Sequence, residues 1–312
     1  MPWKERYTVS DEVSLGDHEL QWPSGTRMAT CITVALSPAS GPEGITAADM
    51  EASLGRFGMY EGLDLVLDLL ARYRLRATFA VPALMAEIMP ERVVAIAAAG
   101  HEIAALGLRH EDTSRMQRDE EAERIGLATE ILARTTGKRP QGWYCLSRQK
   151  DRYAGGAMSP NTVDLLREAG YVWLGNGMAD DIPYYTVTDF ASRRCLLTLP
   201  YYYHLDDQYF SLFPVAGTGL ENADMLARNW RGELDAQYER GRYFSMVLHP
   251  QHAGFGHRLE LTDQFLAYLA SRPGVWTATG SEIAGHWLKR FPADSHLRLE
   301  PEIWKSYEGS LS

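Results

Sequence analysis

The chain has 312 residues, 45% of them hydrophobic and 11% aromatic, which excludes a disordered or collagen-like protein and supplies a large core. Its 31 basic and 41 acidic residues give a net charge of −10 with the basic ones scattered, which argues against nucleic acid or an anionic membrane as partner. Charges at Lys4, Glu5 and Arg6 stand where a signal peptide needs apolar residues, and no run approaches the roughly 18 apolar residues of a membrane span, so a cytoplasmic protein is expected. Cys31, Cys145 and Cys195 are odd in number and widely spaced, which indicates neither a disulfide framework nor a zinc knuckle.

The β-branched run Thr30 to Leu36 predicts a buried strand, ended by Ser37-Pro38-Ala39-Ser40-Gly41-Pro42. Helical spacing over Glu61 to Tyr73 puts Leu63, Val66, Leu67 and Leu70 on one face, and a strand over Arg76 to Val81 follows. A helix over Glu91 to Ala99, a strand over Glu102 to Leu106 and a helix over Arg118 to Thr136, stopped by Gly137, continue the alternation. The run Gly142 to Cys145 precedes a helix expected to have Ser159 as cap, Pro160 in its first position and Gly170 as terminator. Strands over Tyr171 to Leu174 and Cys195 to Leu199 come next, followed by a helix over Asn222 to Arg240. A strand over Phe244 to His249, a helix over Thr262 to Ser271 and a strand over Val275 to Ala278 complete the series. Eight such strands, none clearly a hairpin partner, predict an α/β fold with a mainly parallel sheet, closed or nearly closed into a barrel, in one domain over 1–312. Working residues are then expected in the loops at the C-terminal strand ends.

The segment Gly100-His101-Glu102 through His110-Glu111-Asp112 resembles the polysaccharide deacetylase (NodB-homology) family. The strand leading to Ser37, Asp180-Asp181-Ile182-Pro183-Tyr184, Leu205-Asp206-Asp207 and Leu248-His249-Pro250 match in the same order. The likeness spans about residues 20–290 and, with the entry Gln21-Trp22-Pro23-Ser24-Gly25, is similar to the cytoplasmic branch of peptidoglycan-deacetylase-like and PuuE allantoinase-like proteins. It implies an irregular (β/α) barrel of the deacetylase type. It also implies a divalent metal held by an Asp after the first strand and two His after the third, with a second Asp as base and a late His as acid.

Against that pattern the first-strand aspartates fall on Ala35 and Ser37 and the first histidine on Leu106, leaving His110 alone in place. One imidazole without a carboxylate is short of the three protein ligands usual at a catalytic metal, so no metal and no cofactor are expected unless Glu61, Glu111 or Asp112 is recruited to zinc. His249 and His110 are the candidate proton shuttles, with hydrogen-bonded structural histidines as the alternative. Asp181 and Asp206 are candidate catalytic carboxylates, with Asp207 as the alternative to Asp206 in the pocket and turn chemistry as the competing reading. Ser37, Glu61, Tyr144, Cys145, Arg148, Tyr184 and Tyr202 are expected to bind substrate. Cys145 reads as a nucleophile or as a small core residue, and the tyrosines as stacking platforms or rim packing.

The resulting expectation is a metal-independent hydrolase of non-peptide C–N bonds, amide or cyclic amide, in a small-molecule substrate. A catalytically inactive member that binds a sugar or small ligand, and a lyase or ring-opening enzyme on the same scaffold, are the alternatives. A homo-oligomer, specifically a tetramer, is expected from the branch and from apolar surface around Trp287 and Trp304.

Overall fold

The computed structural model describes residues 15–151, 158–177, 179–189, 192–211 and 223–296. Nine strands form one sheet: β1 (Met28–Ala35), β2 (Thr78–Val81), β3 (Glu102–Ala105), β4 (Gly142–Tyr144), β5 (Trp173–Gly175), β6 (Tyr184–Asp189), β7 (Arg194–Leu199), β8 (Tyr243–Leu248) and β9 (Val275–Thr277). Their order is β6-β7-β5-β4-β3-β2-β1-β8, with β9 beside the start of β1. All neighbours are parallel except β6 and β7.

The helices are α1 (Ala47–Glu51), α2 (Ser53–Phe57), α3 (Leu63–Arg72), α4 (Ala83–Ile88), α5 (Pro90–Ala98), α6 (Arg118–Thr136), α7 (Thr162–Glu168), α8 (Gln208–Ser211), α9 (Ala223–Arg240), α10 (Pro250–Ala253), α11 (Gly256–Ser271), α12 (Gly280–Arg290) and α13 (Ala293–His296). A π-helical turn, Gly58–Gly62, leads into α3. Among the described residues no helix is long and apolar enough to cross a membrane.

Strand alternation divides the core in two. Met28, Ile32, Val34, Phe79, Trp143, Phe244 and Met246 pack outward beneath the helices. Ala29, Cys31, Ala35, Ala80, Ala104, Leu106, Tyr144, Trp173 and Val247 form a second cluster on the other face. The sheet does not run from β7 directly to β8. The stretch after β7 lies along β8, with an Asp206–Val247 bridge and a 2.9 Å bond from Ser245 Oγ to the Pro200 carbonyl.

The mainly parallel α/β architecture agrees with the alternation in the sequence, but three elements differ. Tyr184 to Asp189 is a strand paired antiparallel with β7, although Pro183 and the neighbouring aspartates read as a loop. Helix α7 begins at Thr162, two residues after the Pro160 expected in its first position, although Ser159 Oγ accepts from the Asn161 N–H at 2.9 Å as a cap does while its hydroxyl, like that of Thr162, donates to the buried carboxylate of Glu121. Trp287 offers no surface for assembly, since it is 1% exposed and packs on Trp22 and Phe291 of its own chain. Trp304 lies outside the described residues.

Candidate active site

The parity that directs Ala35 to the inner face of β1 also directs Ser37, and the parity of Tyr243 and Val247 directs His249 there from the end of β8. The β1–β8 register pairs Val34 with Leu248, so His249 comes level with Ala35 and Ser37 follows one inward-facing step beyond it. Gln251 strengthens that junction by donating from Nε2 to the Ser37 carbonyl at 2.9 Å.

His249 is 2% exposed. Its Nδ1 lies 2.8 Å from Asp207 Oδ1 and 3.2 Å from Asp206 Oδ1. Its backbone N–H also donates to the Asp207 carboxylate, at 3.0 and 2.9 Å to the two oxygens. Burial opposes charge on this ring, but the Asp206 charge and the hydrogen bonds it donates to both aspartates outweigh it and push the pKa up to about 10. Asp206 is in turn fixed by Tyr201 OH at 2.6 Å and by Gln208 through its backbone N and Nε2 at 3.0 and 2.9 Å.

His110 sits in the loop after β3 at φ 59°, a left-handed conformation uncommon for a non-glycine residue. Its Nε2 is 3.0 Å from the Leu146 carbonyl and its Nδ1 2.9 Å from Ser37 Oγ. A carbonyl can only accept, so Nε2 carries the proton and the Ser37 hydroxyl donates to Nδ1. Burial, little offset by the Leu146 bond, lowers the His110 pKa to about 3 and keeps the ring neutral.

The structure thus brings Ser37 and His110 into one pair, and Asp206 and His249 into another. Arg148 is buried beside them, bonded through Nε to Asp151 at 2.9 Å, with Asp112 3.8 Å away. Tyr144 and Cys145 line a small cavity together with His110 and Arg148, and the other expected residues lie elsewhere. Asp181 faces Arg240, Arg242 and Gln237 in an ion-pair network rather than His249. Glu61 is exposed on the π-helical turn. Tyr144 is held on the inner face by a 2.7 Å bond to Thr33 Oγ1. Cys145 belongs to the core beneath the helices, where burial pushes its thiol up to about 12, as a structural residue would be. Tyr184 is buried, with its hydroxyl 3.4 Å from the Asn176 carbonyl, and Tyr202 is buried in the outer core.

Gln208, Gln149 and Gln251 are site residues that the sequence does not single out. Asp207 was legible as half of an Asp-Asp pair, whereas the glutamines carry no sequence signal of their own. His252, which reads as a residue of a glycine-rich lid or solvated loop, is 1% exposed. It is buried because α10 lies against the π-helical turn. A Cβ at Gly62 would overlap the Pro250 carbonyl, and one at Gly58 would overlap Gln251.

This fold and site define a NodB-type scaffold, that of the deacetylase-family hydrolases of non-peptide C–N bonds. The chain contains a polysaccharide deacetylase family domain, the family model matching residues 58–174. It is 26% identical to the peptidoglycan deacetylase of Helicobacter pylori over 268 residues, which covers 78% of this chain and 89% of the relative. The crystal structure of PuuE allantoinase superposes with a TM-score of 0.75 at 26% identity, covering 90% of this chain and 95% of that one.

The expectation that the protein takes no metal and no cofactor is overturned. The domain belongs to a family whose enzymes hold a divalent metal. The fold also supplies the carboxylates that seemed missing: Asp206, Asp207 and His249 offer ligand atoms all within 4.8 Å of one another. Two buried carboxylate donors and an imidazole suit a divalent cation in kind. The donors considered for recruitment are committed elsewhere, Glu111 to Arg109 and Arg124 and Asp112 to Ser114 and Arg148. At the family's own metal position Ala35 and Leu106 have no donor, and both ring nitrogens of His110 are engaged.

Proposed function

We propose that the protein hydrolyses a non-peptide C–N bond, an amide or cyclic amide, in a small substrate, with His249 as the proton donor to the departing nitrogen. The observation that carries this reading is the buried His249 ring with Nδ1 2.8 Å from Asp207 Oδ1. Asp207 engages Nδ1, so Nε2 is the atom from which the ring releases its proton to substrate. Asp206 and Asp207 fix the ring's orientation and keep it protonated. Ser37 and His110, at the neighbouring strand ends, border the position of the reacting carbonyl. A divalent metal held by Asp206, Asp207 and His249 would take the place of the Nδ1 proton, and the carbonyl polarisation and water activation it would supply when bound would stand in place of proton donation by the charged ring.

Incubation of the purified protein with N-acetyl sugars, cyclic ureides and imides, with amine or ring-opened product measured, tests this reading. Turnover lost in His249→Gln supports it. A second reading, a ligand-binding member without turnover, is favoured by Ala35 and Leu106 at positions where the family keeps working side chains. Ligand binding in that panel with no product would establish it. A cytoplasmic, single-domain homo-oligomer, with the tetramer as its state, is part of the proposal. Exposed Ile88, Val94 and Leu127 offer apolar surface for it, and light scattering tests it.

A further inference from the structure

Hydrolysis of a C–N bond needs a nucleophile as well as a proton for the departing nitrogen, and His249 supplies the proton alone. Three side chains at neighbouring strand ends carry a hydroxyl or thiol. Cys145 lies in the core beneath the helices, where burial pushes its thiol up to about 12, far from the thiolate that attacks. Ser147 is occupied by tyrosines, its Oγ bonded to Tyr209 OH and 3.5 Å from Tyr201 OH. Ser37 differs from both, because its hydroxyl meets an imidazole, with Oγ 2.9 Å from His110 Nδ1.

The proton positions make that contact an activating one. The Leu146 carbonyl accepts from His110 Nε2 at 3.0 Å, so Nδ1 is the bare nitrogen and receives the Ser37 hydrogen. Ser37 Oγ has a second, longer contact, 3.3 Å to the Pro38 carbonyl, which is no base. Hydroxyl, imidazole and orienting acceptor thus come together from the ends of β1, β3 and β4, the arrangement by which a serine becomes a nucleophile. The Leu146 carbonyl takes the place that a carboxylate holds in a Ser-His-Asp triad, fixing tautomer and ring plane without adding charge. Burial keeps the ring neutral, the state a base requires, and makes its cation costly. The negative charge that forms on the attacked carbonyl oxygen arises in the same buried site and offsets that cost.

We propose that Ser37 is the nucleophile and His110 its base, so that the reaction passes through a covalent acyl ester of Ser37. This rests on the C–N hydrolase reading and supplies its attacking group. A lone pair of Oγ forms the new O–C bond, the Oγ proton passes to His110 Nδ1, and the carbonyl π pair moves to oxygen. When that pair returns, the C–N bond breaks, and nitrogen keeps its electrons and takes the proton of His249. Water then attacks the ester and gives up one proton to replace that of His249, while Ser37 leaves with its electron pair and recovers its hydrogen from His110. Amide and water are consumed, acid and amine are released, and all three side chains are restored.

Labelling of the full chain tests this without calling on His249, because fluoride and nitrophenolate depart unprotonated. A fluorophosphonate forms an O–P bond to Ser37 as fluoride leaves, and 4-nitrophenyl acetate forms an acetyl ester with a burst of nitrophenolate. Peptide mass spectrometry is expected to place the adduct on Ser37. His110→Gln keeps both hydrogen bonds through its amide but cannot take a proton, and is expected to slow labelling by about 10²-fold or more, a loss that a merely structural role would not give. No adduct on Ser37 from either probe, or equal labelling rates in His110→Gln and the unmodified protein, overturns the inference. Labelled Ser37 without amide turnover would uphold it and defeat the hydrolase reading. Amide turnover at the parent rate in Ser37→Ala would do the reverse.

Discussion

The carboxylate of Asp207 engages His249 twice, accepting from its backbone N–H and lying 2.8 Å from its ring Nδ1. One residue therefore fixes both where the strand end sits and how the imidazole is turned. Asp207→Asn is expected to lower turnover by about 10²-fold, within the range that a positioned proton donor supplies. Steady-state kinetics on the best amide of the panel, with folding checked by circular dichroism, measures it. An unchanged kcat would show that Asp207 serves the strand alone.

His110 has a different kind of importance. His110→Ala leaves the Ser37 hydroxyl and the Leu146 carbonyl buried without their present partner, which costs about 1–3 kcal/mol for each group left unsatisfied. Urea denaturation at neutral pH is expected to show a lower midpoint with an unchanged slope.

The same residue makes stability depend on pH. Its folded pKa of about 3 lies below the ordinary 6.5, so the unfolded chain binds the proton first and acidification favours unfolding. The contribution of neutral His110 is intact above pH 6.5 and is lost progressively as pH falls towards about 3. His252 acts in the same direction, while Glu102 and Glu121, with pKa values raised by burial, act in the opposite one. The difference between the unmodified protein and His110→Gln isolates the histidine. Thermal midpoints of the variant are expected to fall less steeply across this window, and parallel curves would contradict the assignment.

Gly62 permits the close approach of the π-helical turn to the peptide that follows His249. Gly62→Ala forces a methyl group into the Pro250 carbonyl, a backbone atom that cannot swing aside. A loss of about 1–3 kcal/mol is expected, the range typical of overpacking. In the fraction that folds, kcat is expected to fall more than KM rises. An Ala variant as stable and active as the parent would show that α10 moves freely.

Cys145→Ser is expected to destabilise without touching chemistry. The side chain lies in the core beneath the helices, where a hydroxyl without a partner costs about 1–3 kcal/mol. Activity per folded molecule is expected to be unchanged, and its abolition would install Cys145 as a nucleophile.

These outcomes trace which parts of the molecule were legible in the chain. Alternating strand and helix patterns identify β1 to β5, β7, β8 and β9 because each is a short apolar run bounded by turn residues. The same alternation, taken one step further, puts Trp143 and Cys145 outward and Tyr144 inward, so the burial of Cys145 among core side chains was within reach of the sequence. Asp181 was misplaced because its partners, Arg240 and Arg242, come from the end of α9, far along the chain. His252 was misjudged for a related reason, since its burial depends on Gly58 and Gly62 nearly two hundred residues earlier. The missing carboxylates are the plainest case. A search confined to the first and third strand ends finds Ala35, Ser37 and Leu106, whereas the closure of the sheet through the stretch after β7 delivers Asp206 and Asp207 to His249.

The role proposed for His249 is delivery of a proton to the nitrogen leaving a C–N bond. Product release from an amide and from an ester of the same acyl group, compared between the unmodified protein and His249→Gln, tests it most directly. The amine needs a proton to depart and an activated phenol does not. His249→Gln is expected to lower amide turnover by about 10²–10⁴-fold while ester turnover falls far less. Equal losses on both substrates, or no loss on the amide, would contradict it.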